Sequence, residues 1–227
     1  GRALEALATH AQWLKTAPPA QVPRTLLADM EAILADLLQQ LRNTRETNGG
    51  HLHFFLTADG EPFSLTEKAT PQPVSLHEQS PLNFSDVFCA KGMYAAARYL
   101  EDNEALAEAR EYCLDGLEAT LQGQVVNDRQ PLDQKNPAKE RPGRLSHAPH
   151  MLSIGTAALL VDGEKDQHSV DYGFAVIDYI LRHHVNTEGA FPSLAPDDFV
   201  EFIDRTGQPY RQDGRIVSDP GHALEFV

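Results

Sequence analysis

Apolar residues in segment 24–42 fall at Leu26, Leu27, Met30, Ile33, Leu34, Leu37, Leu38 and Leu41, with polar residues between them. This i/i+3/i+4 stripe predicts a one-sided amphipathic helix. Segment 104–121 repeats the design through Leu106, Ala109, Cys113, Leu117 and Leu121, and segment 170–184 through Val170, Phe174, Ile177 and Leu181. Segments 86–100 and 151–161 differ, being apolar on every side, which predicts helices covered by protein on most faces. Segment 3–15, with Leu4, Leu7, Ala8, Ala11 and Leu14, reads as a first helix of this inner kind. Pro18, Pro19 and Pro23 then punctuate the chain before the first outer helix.

Between outer and inner helices the chain repeats a short turn-forming segment. Phe55-Leu56-Thr57-Ala58-Asp59-Gly60-Glu61-Pro62-Phe63 matches Phe202-Ile203-Asp204-Arg205-Thr206-Gly207-Gln208-Pro209-Tyr210 without a gap, and Val125 to Leu132 is a weaker relative. Turn residues flanked by aromatic and β-branched ones predict short hairpins over 52–63 and 199–210. Polar segments 64–83 and 133–146 read as long loops joining hairpin to inner helix, a length that suits the cover of a site. Judged from Pro62, Pro131 and Pro209, the repeat is roughly 70–80 residues long. A unit that cannot bury its own apolar face must stack on copies of itself. The expectation is therefore an all-α chain, one domain over 1–227, built as a curved stack of helical hairpins with the β-hairpins at one end. A fourth inner helix has barely begun at Val227, so the sequence reads as part of a longer protein.

Charge and composition narrow the partners. The 41% apolar and 23% charged content is that of an ordinary globular chain. A net charge of −14 and a pI near 5.0 disfavour nucleic acid and anionic membrane, and point to a neutral or small partner. Apolar runs are too short to span a bilayer, which needs about 18 residues or more. Cys89 and Cys113 both lie in apolar helical stretches, which predicts buried free thiols and a reducing cytosolic setting. Asn83-Phe84-Ser85 fits a glycosylation acceptor by pattern alone.

Candidate chemistry concentrates in Pro220-Gly221-His222-Ala223-Leu224-Glu225. Asp219 or Ser218 can cap this helix and Pro220 suits its first position. His222 and Glu225, three residues apart, share a helix face. An imidazole in a first turn feels the positive end of the helix dipole, which favours the neutral form that can act as a general base. The alternative is a histidine that packs while Glu225 completes a cap. Elsewhere, His51 and His53 would share a strand face and suit a metal, but without an apparent third ligand they read as exposed hairpin histidines. His183 and His184 end an outer helix, where a cation complements the dipole. Asp197, Asp198 and Glu201 read as a solvated acidic loop. No nucleotide-binding, zincin or serine-hydrolase motif occurs.

The segment Arg215-Ile216-Val217-Ser218-Asp219-Pro220-Gly221-His222-Ala223-Leu224-Glu225-Phe226 resembles the PGH-x-x-E segment of the N-acylglucosamine 2-epimerase family, which includes aldose–ketose isomerases and cellobiose 2-epimerases. Arg144-Leu145-Ser146-His147-Ala148-Pro149-His150-Met151 is similar to that family's N-P-H-M-H stretch, and residues 84–110 to a helix pair further upstream. The resemblance implies an (α/α)6 toroid of which this chain holds only part. It implies sugar epimerisation or isomerisation by proton transfer next to the carbonyl carbon, with His222 as one of two acid/base histidines. The second histidine would lie in C-terminal helices beyond this sequence. Glu225 would hold His222 or the sugar, and His147 and His150 would contact the sugar where the family's polar positions read Ala148, Leu152 and Gly155 here. Lys91 is the one basic candidate for the family's N-terminal arginine motif. The implied partner is a small-molecule sugar in the cytoplasm, with no metal or other cofactor required, no nucleic acid, no membrane, and a homodimer open. Two other readings stand beside it: a non-catalytic carbohydrate-binding or scaffold relative, and an (α/α)-barrel glycoside hydrolase, which would need two positioned carboxylates.

Overall fold

In the computed structural model, which describes residues 1–18, 22–65, 70–74, 81–128, 143–165 and 167–226, each segment expected to be helical contains a helix. The side chains of Arg24, Glu188, Glu225 and Phe226 lie outside that set. The helices are α1 (Arg2–Thr16), α2 (Arg24–Thr47), α3 (Phe84–Leu100), α4 (Asn103–Leu121), α5 (Ala148–Glu164), α6 (Gln167–His183) and α7 (Pro220–Phe226). Short antiparallel strand pairs join β1 (Phe63–Leu65) to β2 (Pro71–Pro73), β3 (Leu145–Ser146) to β4 (Phe202–Ile203), and β5 (Arg211–Gln212) to β6 (Arg215–Ile216). The described residues are thus mostly helical, as the periodicity predicts. None of the described helices is long and apolar enough to cross a membrane. The chain falls into two compact units, one of residues 1–119 with 124–138, the other of 120–123 with 139–227.

In the first unit α1, α2 and α3 pack on one another. Helix α3 is buried at Phe84, Val87, Ala90, Met93, Tyr94, Ala96 and Ala97, whereas α2 buries Leu34 and Leu38 and exposes Leu26, Ile33 and Leu37. A fully buried side chain of this size stabilises by about 1.5–3 kcal/mol. The expected contrast between all-round and one-sided burial holds between α3 and α2, but α1, expected to be of the inner kind, buries only Leu4, Ala8 and Ala11 and leaves Trp13 64% exposed. Small residues on α3 let backbones approach: a Cβ at Gly92 would collide with the Gly1 carbonyl. Helix α2 runs past residue 42 to Thr47, and Gly49 (φ 65) and Gly50 (φ 92) then turn the chain.

Asn83 and Asp86 decide where α3 begins. The Asn83 side chain accepts from the Asp86 N–H and the Asp86 carboxylate accepts from the Asn83 N–H, a capping box that moves the start two residues ahead of the expected one. Asn83 is buried and its Nδ2 donates to the Leu52 carbonyl at 3.0 Å, which removes it as a glycosylation site of the folded protein. The Asp86 carboxylate, itself buried, also accepts from Leu52 N–H (2.7 Å) and Tyr112 OH (2.5 Å) and meets His51 Nδ1 at 3.0 Å. Burial pushes the Tyr112 hydroxyl well above its ordinary pKa, and the adjoining carboxylate adds to this, so the hydroxyl stays a donor. His51 is therefore a buried structural residue, against the expectation of an exposed hairpin histidine. The sequence hides its partner because Asp86 lies on the next helix. Both cysteines are free thiols, Cys113 buried and Cys89 half-buried.

The two matching turn segments fold alike. Thr57 N–H donates to Glu61 O and Gly60 N–H to Thr57 O in one, while Asp204 N–H donates to Gln208 O and Gly207 N–H to Asp204 O in the other. Gly60 (φ 84) and Gly207 (φ 78) occupy the left-handed conformation that a side chain would disfavour. Each turn closes on a single bridge, Leu56 to Pro62 and Ile203 to Pro209, rather than on a full hairpin ladder. The ladders proper lie beside them. Phe63 runs on into β1, whose partner β2 falls inside the expected 64–83 loop, and β4 pairs with β3 at the end of the expected 133–146 loop. Most of that second loop lies outside the described residues.

In the second unit α5 packs on α6 and on α7. The buried face of α6 is Ser169, Val176 and Ile180, not the expected stripe: Phe174 is 68% exposed and Leu181 37%. Helix α6 carries apolar residues on two sides: Val176 and Ile180 are buried, while Val170, Phe174 and Ile177 of the expected stripe line an open groove beside α5. A core of Phe191, Val200 and Ile203, flanked by Tyr179, Leu194 and Ile216, sits under the turn segment. Asn186 anchors the loop leading into it, donating to the Leu194 and Ala195 carbonyls and accepting from Phe191 N–H. Helix α7 is expected to be an inner helix covered on most faces, yet Leu224 is 76% exposed among the described residues.

Candidate functional site

Three separate stretches of the second unit meet at one carboxylate. His147 sits at the N-cap of α5, His222 in the first turn of α7, and Glu201 between Val200 and β4. Backbone bonds hold the three in register: His147 N–H donates to Glu201 O, and Glu201 N–H donates to Val217 O just before α7. Asp219 caps α7 as expected, its Oδ1 accepting from Gly221 N–H at 2.8 Å. The His222 Nδ1 then lies 3.0 Å from Glu201 Oε2 and 3.2 Å from Oε1. His147 Nδ1 stands 3.5 Å from the same Oε2, and its ring is edge-on to Phe199 at 4.7 Å.

The environment of each group follows from these contacts. Glu201 is 5% exposed, so the reading of residues 197–201 as a solvated acidic loop is corrected at this residue. Burial pushes its carboxyl up, but His147 and His222 beside it outweigh that and hold it below the usual glutamate range. The His222 side chain remains 26% exposed. A carboxylate only accepts, so Nδ1 donates to it, and in the neutral ring Nε2 then carries the lone pair. His147 is fully buried, and neither of its ring nitrogens has a hydrogen-bond partner among the described residues.

His150 and His184 surround this group without joining it. His150 stacks flat on Tyr179, ring centroids 3.7 Å apart, with both ring nitrogens buried and unpartnered among the described residues. Burial pushes its pKa down to about 3, and the facing histidines 184, 147 and 183 push in the same direction. His184 is buried too; its Nδ1 meets the Val200 carbonyl at 2.9 Å, and burial lowers its pKa to about 4. It is a structural residue, as a histidine at a helix end is expected to be, but a neutral one rather than the cation that complements the dipole. The Glu225 side chain, expected to act beside His222, lies outside the described residues.

A testable consequence concerns acid stability. A folded pKa near 3 means that the unfolded chain, at about 6.5, binds the His150 proton first as pH falls. The contribution of neutral His150 is fully present above about 6.5 and is lost at about 1.4 kcal/mol per pH unit below it, levelling off near 3. His150→Phe keeps a ring against Tyr179 and removes the titration. Its melting temperature should fall less steeply than wild type between pH 6.5 and 4. Parallel melting curves over that range would contradict the assignment.

Sequence reasoning missed Glu201. The available signal was an acid inside the otherwise apolar run Phe199-Val200-Glu201-Phe202-Ile203, obscured by the two aspartates just before it. Compared with known proteins, the chain matches no protein-family model, and no curated protein matches it either.

Proposed function

We propose that this protein is a sugar epimerase or isomerase of the cytoplasm, moving a proton at the carbon next to the carbonyl of an aldose, ketose or N-acyl amino sugar. The observation that carries this reading is the His222–Glu201 contact, which leaves Nε2 as a base with a buried carboxylate behind it. His222 takes the proton from carbon, giving an enediol or enediolate, and returns it to the opposite face or lets the neighbouring carbon receive one. Glu201 fixes the tautomer and stabilises the imidazolium while the proton is held. The likeness of residues 215–226 to the PGH-x-x-E segment supports the substrate class, and the covered α3 beside the one-sided α2 is compatible with part of an (α/α)6 barrel.

The test is solvent-deuterium incorporation. The full-length protein, incubated in D2O with a panel of aldoses, ketoses and N-acyl amino sugars, should place deuterium at C2 of at least one. Absence of exchange with every sugar, while one or more of them still binds, would transfer the protein to the carbohydrate-binding class.

A further inference from the structure

The two groups that serve the proton, with His147 beside them, also have the geometry of a metal site. We propose that His147, Glu201 and His222 bind one divalent transition-metal ion of the zinc class, and that this ion competes with the proton for His222. One ligand atom from each residue lies within 4.8 Å of the other two. The two imidazole nitrogens face one carboxylate oxygen at 3.5 and 3.0 Å. Four-coordinate zinc, with ligands at about 2.0–2.1 Å, spaces neighbouring ligand atoms by about 3.3 Å, so small side-chain rotations suffice.

Two further facts favour an ion. His147 is 0% exposed and neither ring nitrogen makes a hydrogen bond among the described residues, Nδ1 having only its 3.5 Å approach to Glu201 Oε2, although a buried imidazole nitrogen ordinarily finds one. The backbone is also fixed around the ligands, through His147 N–H to Glu201 O and Glu201 N–H to Val217 O, so little ordering remains to be done on binding. Two nitrogens and one oxygen select zinc, cobalt or nickel over magnesium and calcium, which prefer oxygen alone.

Occupancy would alter the chemistry. A metal on Nδ1 of His222 displaces the contact to Glu201 and leaves the ring proton on Nε2, where it blocks the lone pair needed for proton abstraction. The ion is then an inhibitor of the exchange. This second half rests on the proposed function, whereas binding itself does not.

The chelator-stripped full-length protein is titrated with Zn2+ by calorimetry and with Co2+ by visible absorption. One equivalent is expected, with the d–d bands of four-coordinate cobalt and no thiolate charge transfer, and Mg2+ should not compete. Glu201→Gln, which keeps the shape of the side chain, should weaken Zn2+ by roughly 100-fold, and His147→Ala similarly, since even outer-sphere changes cost 10–100-fold. Absence of a stoichiometric site in the wild type, or a Glu201→Gln titration matching it, overturns the metal site. Zn2+ should suppress deuterium exchange and a chelator restore it; stimulation by Zn2+ would overturn the competition. Stoichiometric binding without exchange on any sugar would support the metal site and sink only the catalytic reading.

Discussion

His222→Ala is expected to slow deuterium incorporation at the sugar's C2 by about 10²–10⁴-fold, the usual range for removing a positioned general acid/base. The fold should persist, because the His222 side chain is partly exposed and its described polar contacts run to Glu201 and Asp219. Glu201→Gln should also slow exchange, by less, since an amide can still accept from Nδ1 but does not stabilise the imidazolium as a carboxylate does. The two substitutions together should cost little more than His222→Ala alone, because Glu201 acts through that ring. His183→Ala removes a nearby histidine that rests on Tyr179 and should leave exchange unchanged. Exchange by His222→Ala at the wild-type rate would end the role given to this residue, whatever becomes of the fold.

Asp86→Ala should destabilise the first unit by about 3–5 kcal/mol, the cost of leaving the partners of a buried charged network unmatched. Four groups lose their acceptor at once: the backbone N–H of Leu52 and of Asn83, the Tyr112 hydroxyl and the His51 ring. All four belong to buried residues, so water does not readily replace the carboxylate. The capping box of α3 goes with it, and with it the link between the segment after α2 and the start of α3. Asp86→Asn should fall between the two, since its amide keeps one acceptor and turns a donor towards other donors. Hydrogen exchange of the α3 amides along a urea titration reads the loss. A change under about 1 kcal/mol would show that the network is dispensable.

Particular helices show what local pattern can and cannot decide. In α4 the expected stripe is the buried one, at Ala109, Cys113 and Leu117, because apolar residues lie mainly on one side. In α6 Val176 and Ile180 compete with Phe174, Ile177 and Leu181, and periodicity has no means of choosing between two apolar faces. The site divides in the same way. His222 is legible because its turn, its proline and its cap are consecutive. His147 stands out as a histidine at a helix start, but its burial is invisible in the sequence. Glu201 was read with its acidic neighbours, since its partners are a helix cap at 147 and a helix turn at 222.

The sequence by itself determined which segments are helical, that two nine-residue turns would fold alike, and that His222 would open a capped helix. These follow from interactions within a few residues: periodicity, glycine conformation and side-chain caps. The tertiary structure alone decided which face of α6 is buried, that Asp86 gathers four donors, and that Glu201 lies between His147 and His222. Those outcomes depend on side chains distant in the chain meeting in a place without water, and the free energy of such a meeting belongs to the packed whole rather than to any stretch of residues.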